Sequence, residues 1–179
     1  IVMLSARDQE AHQPFLHVLR VRLTDFSGGL GDEKFTIQDM YRALATDTTR
    51  NALILDDIKE ALQAGRSPLV LTERRDHLDF LATQLAGACP NVLVMKGGVG
   101  SKQRRALVSQ LSSLPKEAPR VIVATGKYAG EGFDDARLDS LFLTMPVAWK
   151  GSIIQYAGRL HRLQPGKDEV RIYDYVDRA

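Results

Sequence analysis

The sequence predicts an α/β domain with a parallel central sheet and helices on both of its faces. Three observations carry this. From about Pro68 onward, strand-like and helix-like stretches alternate. The strand-like runs are short and apolar throughout, as strands buried on both faces are. A length of 179 residues, 44% apolar and 26% charged, suits one globular domain with ample core.

Taken in order, Phe15 to Phe26 reads as a first strand, followed by the flexible loop Ser27-Gly28-Gly29-Leu30-Gly31. Thr36 to Leu44 and Thr48 to Ala64 read as helices, the second capped by Asp47 or Thr48 and closed by Gly65. Leu69-Val70-Leu71 is a strand after a Pro breaker. Asp76 to Ala86 then places Leu78, Leu81, Ala82 and Leu85 at helical spacing. Asn91 to Met95 is a strand and Lys102 to Leu114 an amphipathic helix. Arg120 to Ala124 and Leu138 to Leu143 are further strands. A helix from about Ser152 to Leu163 stops at Pro165-Gly166, and Glu169 to Val176 is the last strand. Crossovers should be right-handed, with ligands at the strands' carboxyl ends. Residues 1–50 form a lead-in expected to cover one sheet edge. The chain is expected to be a piece of something larger.

Composition excludes several classes. No apolar run approaches the roughly 20 residues of a membrane span, and the opening Ile-Val-Met-Leu is too short for a signal peptide's apolar core. The single Cys89 excludes an intrachain disulfide or a cysteine-built metal centre and fits a reducing compartment. A net charge of +2 does not by itself announce nucleic acid, although arginine is locally dense at Arg104-Arg105 and at Arg159 with Arg162.

The sharpest local feature is Gln155-Tyr156-Ala157-Gly158-Arg159-Leu160-His161-Arg162. At about 100° per residue, Gln155, Arg159 and Arg162 share a stripe ~60° wide. Ile153, Ala157 and Leu160 fall on the opposite side and can hold the helix to the sheet. Gly158 keeps the neighbouring surface bare for a close approach. Two guanidiniums on a rigid helix match phosphate oxygens and suit charge stabilisation during phosphoryl transfer. Alone, two arginines three residues apart are an ordinary solvated face. The whole string, however, resembles motif VI, Gln-x-x-Gly-Arg-x-x-Arg, of superfamily 2 helicases, with every fixed position matched.

That resemblance extends upstream. Ala124-Thr125-Gly126-Lys127-Tyr128-Ala129-Gly130-Glu131-Gly132-Phe133-Asp134 follows a buried strand and resembles motif V. It implies that Thr125 touches the nucleic-acid backbone, while Gly130, Glu131, Gly132, Asp134 and Gly158 lie near the nucleotide and the interdomain cleft. Gly126 and Glu131 depart from the DEAD-box form, which has Asp and Arg there and one residue fewer between. The Gly-Glu-Gly-Phe-Asp form looks more like the DNA-directed relatives near type III restriction-enzyme motor subunits. Leu69 to Arg74 sits where motif IV lies, so Thr72 and Arg74 are candidate phosphate contacts, or an ordinary strand end and helix cap. His77 reads as a helix surface or packing residue. With no second His or Cys at ligand spacing, no metal site is expected.

Lys96-Gly97-Gly98-Val99-Gly100-Ser101-Lys102 follows a strand and opens a helix, as a phosphate-binding loop does. It fails the spacing Gly-x-x-x-x-Gly-Lys-Ser/Thr, and Gln103 stands where a magnesium-binding hydroxyl belongs. Gly97, Gly98 and Lys102 are better read as contacts to a nucleic-acid backbone, helped by Arg104 and Arg105.

The resemblance as a whole implies the second, C-terminal RecA-like domain of a superfamily 2 DEAD/DEAH-type helicase: a three-layer α/β domain with a mostly parallel sheet. It assigns residues 51–179 to that domain, truncated at its C-terminal end, and residues 1–50 to a lead-in from the first lobe. It further implies ATP and Mg2+ held mainly by a separate first lobe, no cofactor in this fragment, and an inactive fragment on its own. Arg159, Arg162 and Gln155 would be the catalytic set. The implied partners are nucleic acid, DNA rather than RNA, and the N-terminal lobe, with no membrane and a monomeric fragment in the cytoplasm or on the nucleoid. Two rival readings stay open. One is a stand-alone ATPase using residues 96–102, and the other a degenerate RecA-like interaction module.

Overall fold

The computed structural model describes residues 15–28, 36–97, 100–125, 135–146, 158 and 160–178. Its strands are β1 (Leu16–Thr24), β2 (Pro68–Thr72), β3 (Val92–Met95), β4 (Val121–Thr125), β5 (Ser140–Leu143) and β6 (Glu169–Asp177). Its helices are α1 (Ile37–Thr46), α2 (Thr48–Gln63), α3 (Arg75–Leu85) and α4 (Ser101–Ser113). The six expected strands and the first four expected helices are present, within a few residues of their expected ends; most of the expected Ser152–Leu163 helix lies outside the described residues.

Local chemistry sets the boundaries. Thr36 and Asp39 form a reciprocal capping box at the start of α1, and the Asp47 carboxylate accepts from the Arg50 amide to start α2. Gly65 ends α2 at φ 74°, where a β-carbon would be strained, and the Arg66 amide reaches back to the Ala61 carbonyl.

The six strands form one sheet in the order β1-β6-β5-β2-β4-β3, and all five pairings are parallel. The sheet is therefore wholly parallel among the described residues, beyond the mostly parallel expectation, with β1 at one edge beside β6.

Alternate residues of the inner strands feed two separate cores, as the two-residue strand period requires. Val70, Val121, Val123, Phe142 and Tyr173 face α2 and α3, meeting Ile54, Ile58, Leu78 and Leu81. Leu69, Leu71, Ile122, Leu141 and Val170 face the other layer, meeting Leu111 of α4 and Leu160. Phe142 stacks on its register partner Tyr173 with centroids 4.2 Å apart. This is the three-layer α/β architecture of a RecA-like domain.

Candidate functional site at the carboxyl edge of the sheet

A parallel sheet brings all its carboxyl ends to one edge. There Thr72 of β2 lies opposite Thr125 of β4, while Ala124 lies opposite both Leu71 and Met95. Residues 72–74, Thr125 and Gly97 thus follow three adjacent strands. The candidate backbone contacts, separated by up to 53 positions in sequence, are gathered by topology at one place.

Their surroundings differ. Thr72 is 1% exposed. Its hydroxyl lies 2.9 Å from Nδ1 of His77 and accepts from the Arg74 amide at 3.4 Å. The Arg74 guanidinium is gripped by Asp76 through Nε at 2.9 Å and Nη2 at 2.6 Å. That bidentate bond raises the Arg74 pKa and holds the Asp76 carboxyl below its usual value. Arg75 Nη2 donates to the Gly97 carbonyl at 2.8 Å, tying the β2–α3 turn to the β3–α4 turn. Lys102 is exposed in the first turn of α4, a helix with no side-chain cap and no acidic residue at its start. Such a helix end favours an anion. Lys96 is committed elsewhere, donating to Asp79 at 2.9 Å.

Gln155, Arg159, Gly130, Glu131, Gly132, Asp134 and Gly98 lie outside the described residues. Of the arginine helix, Gly158 and Leu160 are helical, but the helix ends short of the expected Leu163: His161 lies in a turn, its amide on the Gly158 carbonyl at 3.3 Å, and Arg162 in a bend just past the end. Leu160 is fully buried in the core, where its expected anchoring role places it. Gly158 is exposed, and a β-carbon added there would meet no atom of the described residues beyond its own helix and chain neighbours within 4 Å. The bare surface is therefore available to an outside body rather than required by packing. The Arg162 side chain is exposed, while its carbonyl accepts from Lys167 at 3.0 Å.

Sequence reasoning missed the buried polar groups beneath this edge. His77, 1% exposed, packs inside; of the two roles read for it, packing is the one present. Its Nε2 lies 2.9 Å from the Asn51 side-chain oxygen. Burial, helped by nearby Arg50, lowers its pKa from 6.5 to about 4. Arg50 is also buried, donating to Asp177 at 2.8 Å and to the Thr144 carbonyl at 2.7 Å. The Leu55-Asp56-Asp57 stretch is helical, and Asp57 is occupied by Arg22 and the Tyr175 hydroxyl. No sequence signal marks these pairs, since 26 to 127 residues separate their members. Among the described residues, no three His, Cys, Asp or Glu side chains gather as metal ligands, and no helix is long and apolar enough to cross a membrane.

No protein-family model matches the chain. Transcript termination protein A18 of fowlpox virus is 30% identical over 138 residues, covering 76% of this chain and 29% of that protein. Transcript termination protein OPG145 of vaccinia virus is 32% identical over 123 residues, 68% of this chain and 24% of that one. The chain thus spans less than a third of the length of these curated relatives. Among solved structures, UvsW of T4 aligns with a TM-score of 0.65 at 19% identity, over 91% of this chain and 32% of that one. Domain 2 of the DEAD-box helicase Mss116p, solved on an RNA duplex, aligns with a TM-score of 0.61 at 12% identity, over 91% and 54%. At such identities the structural likeness establishes the shared fold.

Proposed function

We propose that this chain is the second RecA-like lobe of an ATP-dependent superfamily 2 helicase or translocase, in the group near type III restriction-enzyme motor subunits. Residues 51–179 are that lobe and residues 1–50 a lead-in from the first. Arg159 and Arg162, with Gln155 beside them, act as arginine fingers toward ATP and Mg2+ held mainly by the first lobe. Gly130, Glu131, Gly132, Asp134 and Gly158 line the cleft between lobes. Arg74, Thr125, Gly97, Gly98 and Lys102 meet the nucleic-acid backbone, with Thr72 at the same edge. The lobe works as a monomeric part of a cytoplasmic or nucleoid-associated motor.

The observation that carries this reading is the opposition on one helical turn of buried Leu160 and exposed Gly158, with exposed Arg162 just beyond. Leu160 binds the helix to the sheet, the far side at Gly158 carries no β-carbon, and the exposed Arg162 follows just past the helix end. Such a group fits a nucleotide brought by another body. Bound there, ATP supplies the phosphoryl group transferred to water. Arg162 and Arg159 stabilise the charge that develops on it, while the first lobe keeps the phosphate and metal contacts. The commitment of Lys96 to Asp79 and of the Gly97 carbonyl to Arg75 supports a backbone-contacting role for residues 96–102 over a stand-alone phosphate loop. Duplex DNA is the favoured substrate because of the Gly-Glu-Gly-Phe-Asp form at residues 130–134.

Replacing Arg162 by Ala in the intact motor is expected to reduce nucleic-acid-stimulated ATP turnover by roughly 10³-fold or more. The purified 179-residue chain should show no turnover of its own. Wild-type turnover in the Arg162→Ala motor would refute the assignment.

A further inference from the structure

We propose that His77 is a positioning residue for the phosphate contact of Arg74, acting through Thr72 and anchored by Asn51. This rests on the nucleic-acid reading of the carboxyl edge and gives Thr72 a different part in it, as the support of the contact.

The hydrogen-bond directions follow from one fixed group. Asn51 Nδ2 donates to the Ala45 carbonyl at 2.9 Å, so its Oδ1 is the atom facing His77. An amide oxygen only accepts, so His77 Nε2 carries the proton. In the neutral ring Nδ1 must then accept, and its partner is the Thr72 hydroxyl at 2.9 Å. The single Thr72 proton is spent inward. A lone pair on the same oxygen takes the Arg74 amide. The chain of donors thus runs Arg74 amide, Thr72, His77, Asn51, Ala45 carbonyl, with each direction set by the next.

All three side chains are buried: Asn51 4% exposed, Thr72 1% and His77 1%. A buried polar network in which every bond is made rigidifies its surroundings and selects one arrangement. The part selected is the β2–α3 turn. The Leu78 amide returns to the Arg74 carbonyl at 3.0 Å, and Asp76 accepts the His77 amide at 2.9 Å, pinning the turn from its other side. Asp76 also grips one edge of the Arg74 guanidinium. That group has five donors, so others remain for a phosphate oxygen. The Thr72 hydroxyl, 1% exposed and with its proton committed to the ring, does not face an incoming backbone.

The test uses the 179-residue chain and a fluorescently labelled single-stranded oligothymidylate, read by anisotropy across a potassium chloride series. Arg74→Ala should weaken binding and reduce the salt slope by ~0.7, the loss of one phosphate contact on a single strand. Thr72→Val removes no charge, yet should reduce the slope equally, and the double variant should lose nothing more. Thr72→Ser, which restores the hydroxyl, should bind as the parent chain does. A Thr72→Val variant that binds more weakly with an unchanged slope would indicate direct contact and overturn the proposal. So would His77 nitrogen resonances showing a proton on Nδ1, an outcome independent of any nucleic acid. If Arg74→Ala alters neither affinity nor slope while the Nε2 tautomer is observed, it is the nucleic-acid reading of this edge that fails, and the proposed contact with it.

Discussion

Lowering the pH should weaken this fold at the buried His77 imidazole. In the unfolded chain His77 takes up a proton near 6.5; in the folded chain its pKa is about 4. Loss of hydration on burial is the largest cause, and Arg50 on α2 and Arg74 add repulsion that Asp76 only partly offsets. The unfolded state therefore binds more protons between these values. The stabilisation is fully present above about pH 6.5 and is lost progressively as the pH falls through about 4. A shift of 2.5 units at 1.36 kcal/mol each gives about 3 kcal/mol, with no discount for screening because the residue is buried. Urea unfolding of the chain and of a His77→Gln variant, measured from about pH 7 to pH 4, isolates this contribution. The variant should be weaker at neutral pH by about 1–3 kcal/mol, because Asn51 or Thr72 loses its partner. The difference between the two proteins should then shrink, and can reverse, as the pH falls. A difference independent of pH, or a folded-state ring titrating near 6.5, would refute the reasoning.

Phe142→Ala should cost about 3–5 kcal/mol in a urea or thermal unfolding measurement, since the ring is wholly buried and stacked on Tyr173. A loss below about 1 kcal/mol would mean the inner sheet is not packed as described. Arg50→Ala should cost about 3 kcal/mol, because Asp177 keeps the Thr24 hydroxyl but loses its guanidinium partner and the buried Thr144 carbonyl loses its Arg50 donor. Raising the salt concentration should rescue little of that loss, and substantial rescue would identify the pair as an exposed one.

Much of this domain was legible because its determinants are local. The Asp47 cap and the Gly65 stop act within a few residues, so each was read from the chain, whereas the equally local Thr36–Asp39 capping box came only from the structure. The apolar runs named the strands because a strand buried on both faces has no polar side to show. Leu160 could be placed inward from helical spacing alone, and the structure buries it. Thr72 and Arg74 were legible as residues of a strand's carboxyl end. The side to which the Thr72 hydroxyl turns was not.

The amino-acid order by itself determined the parallel α/β class and, to within a few residues, the limits of its described strands and helices. These follow from periods of two and 3.6 residues and from turn chemistry, which operate over short stretches of chain. Only the tertiary structure decided the strand order β1-β6-β5-β2-β4-β3, with β1 beside the last strand, 153 positions away at the Thr24–Asp177 contact. It alone brought Asn51 of α2 against His77 of α3 and so turned Thr72 inward. Such pairings depend on which surfaces remain to be covered once every element has packed. That is a property of the whole chain, and no local window of sequence contains it.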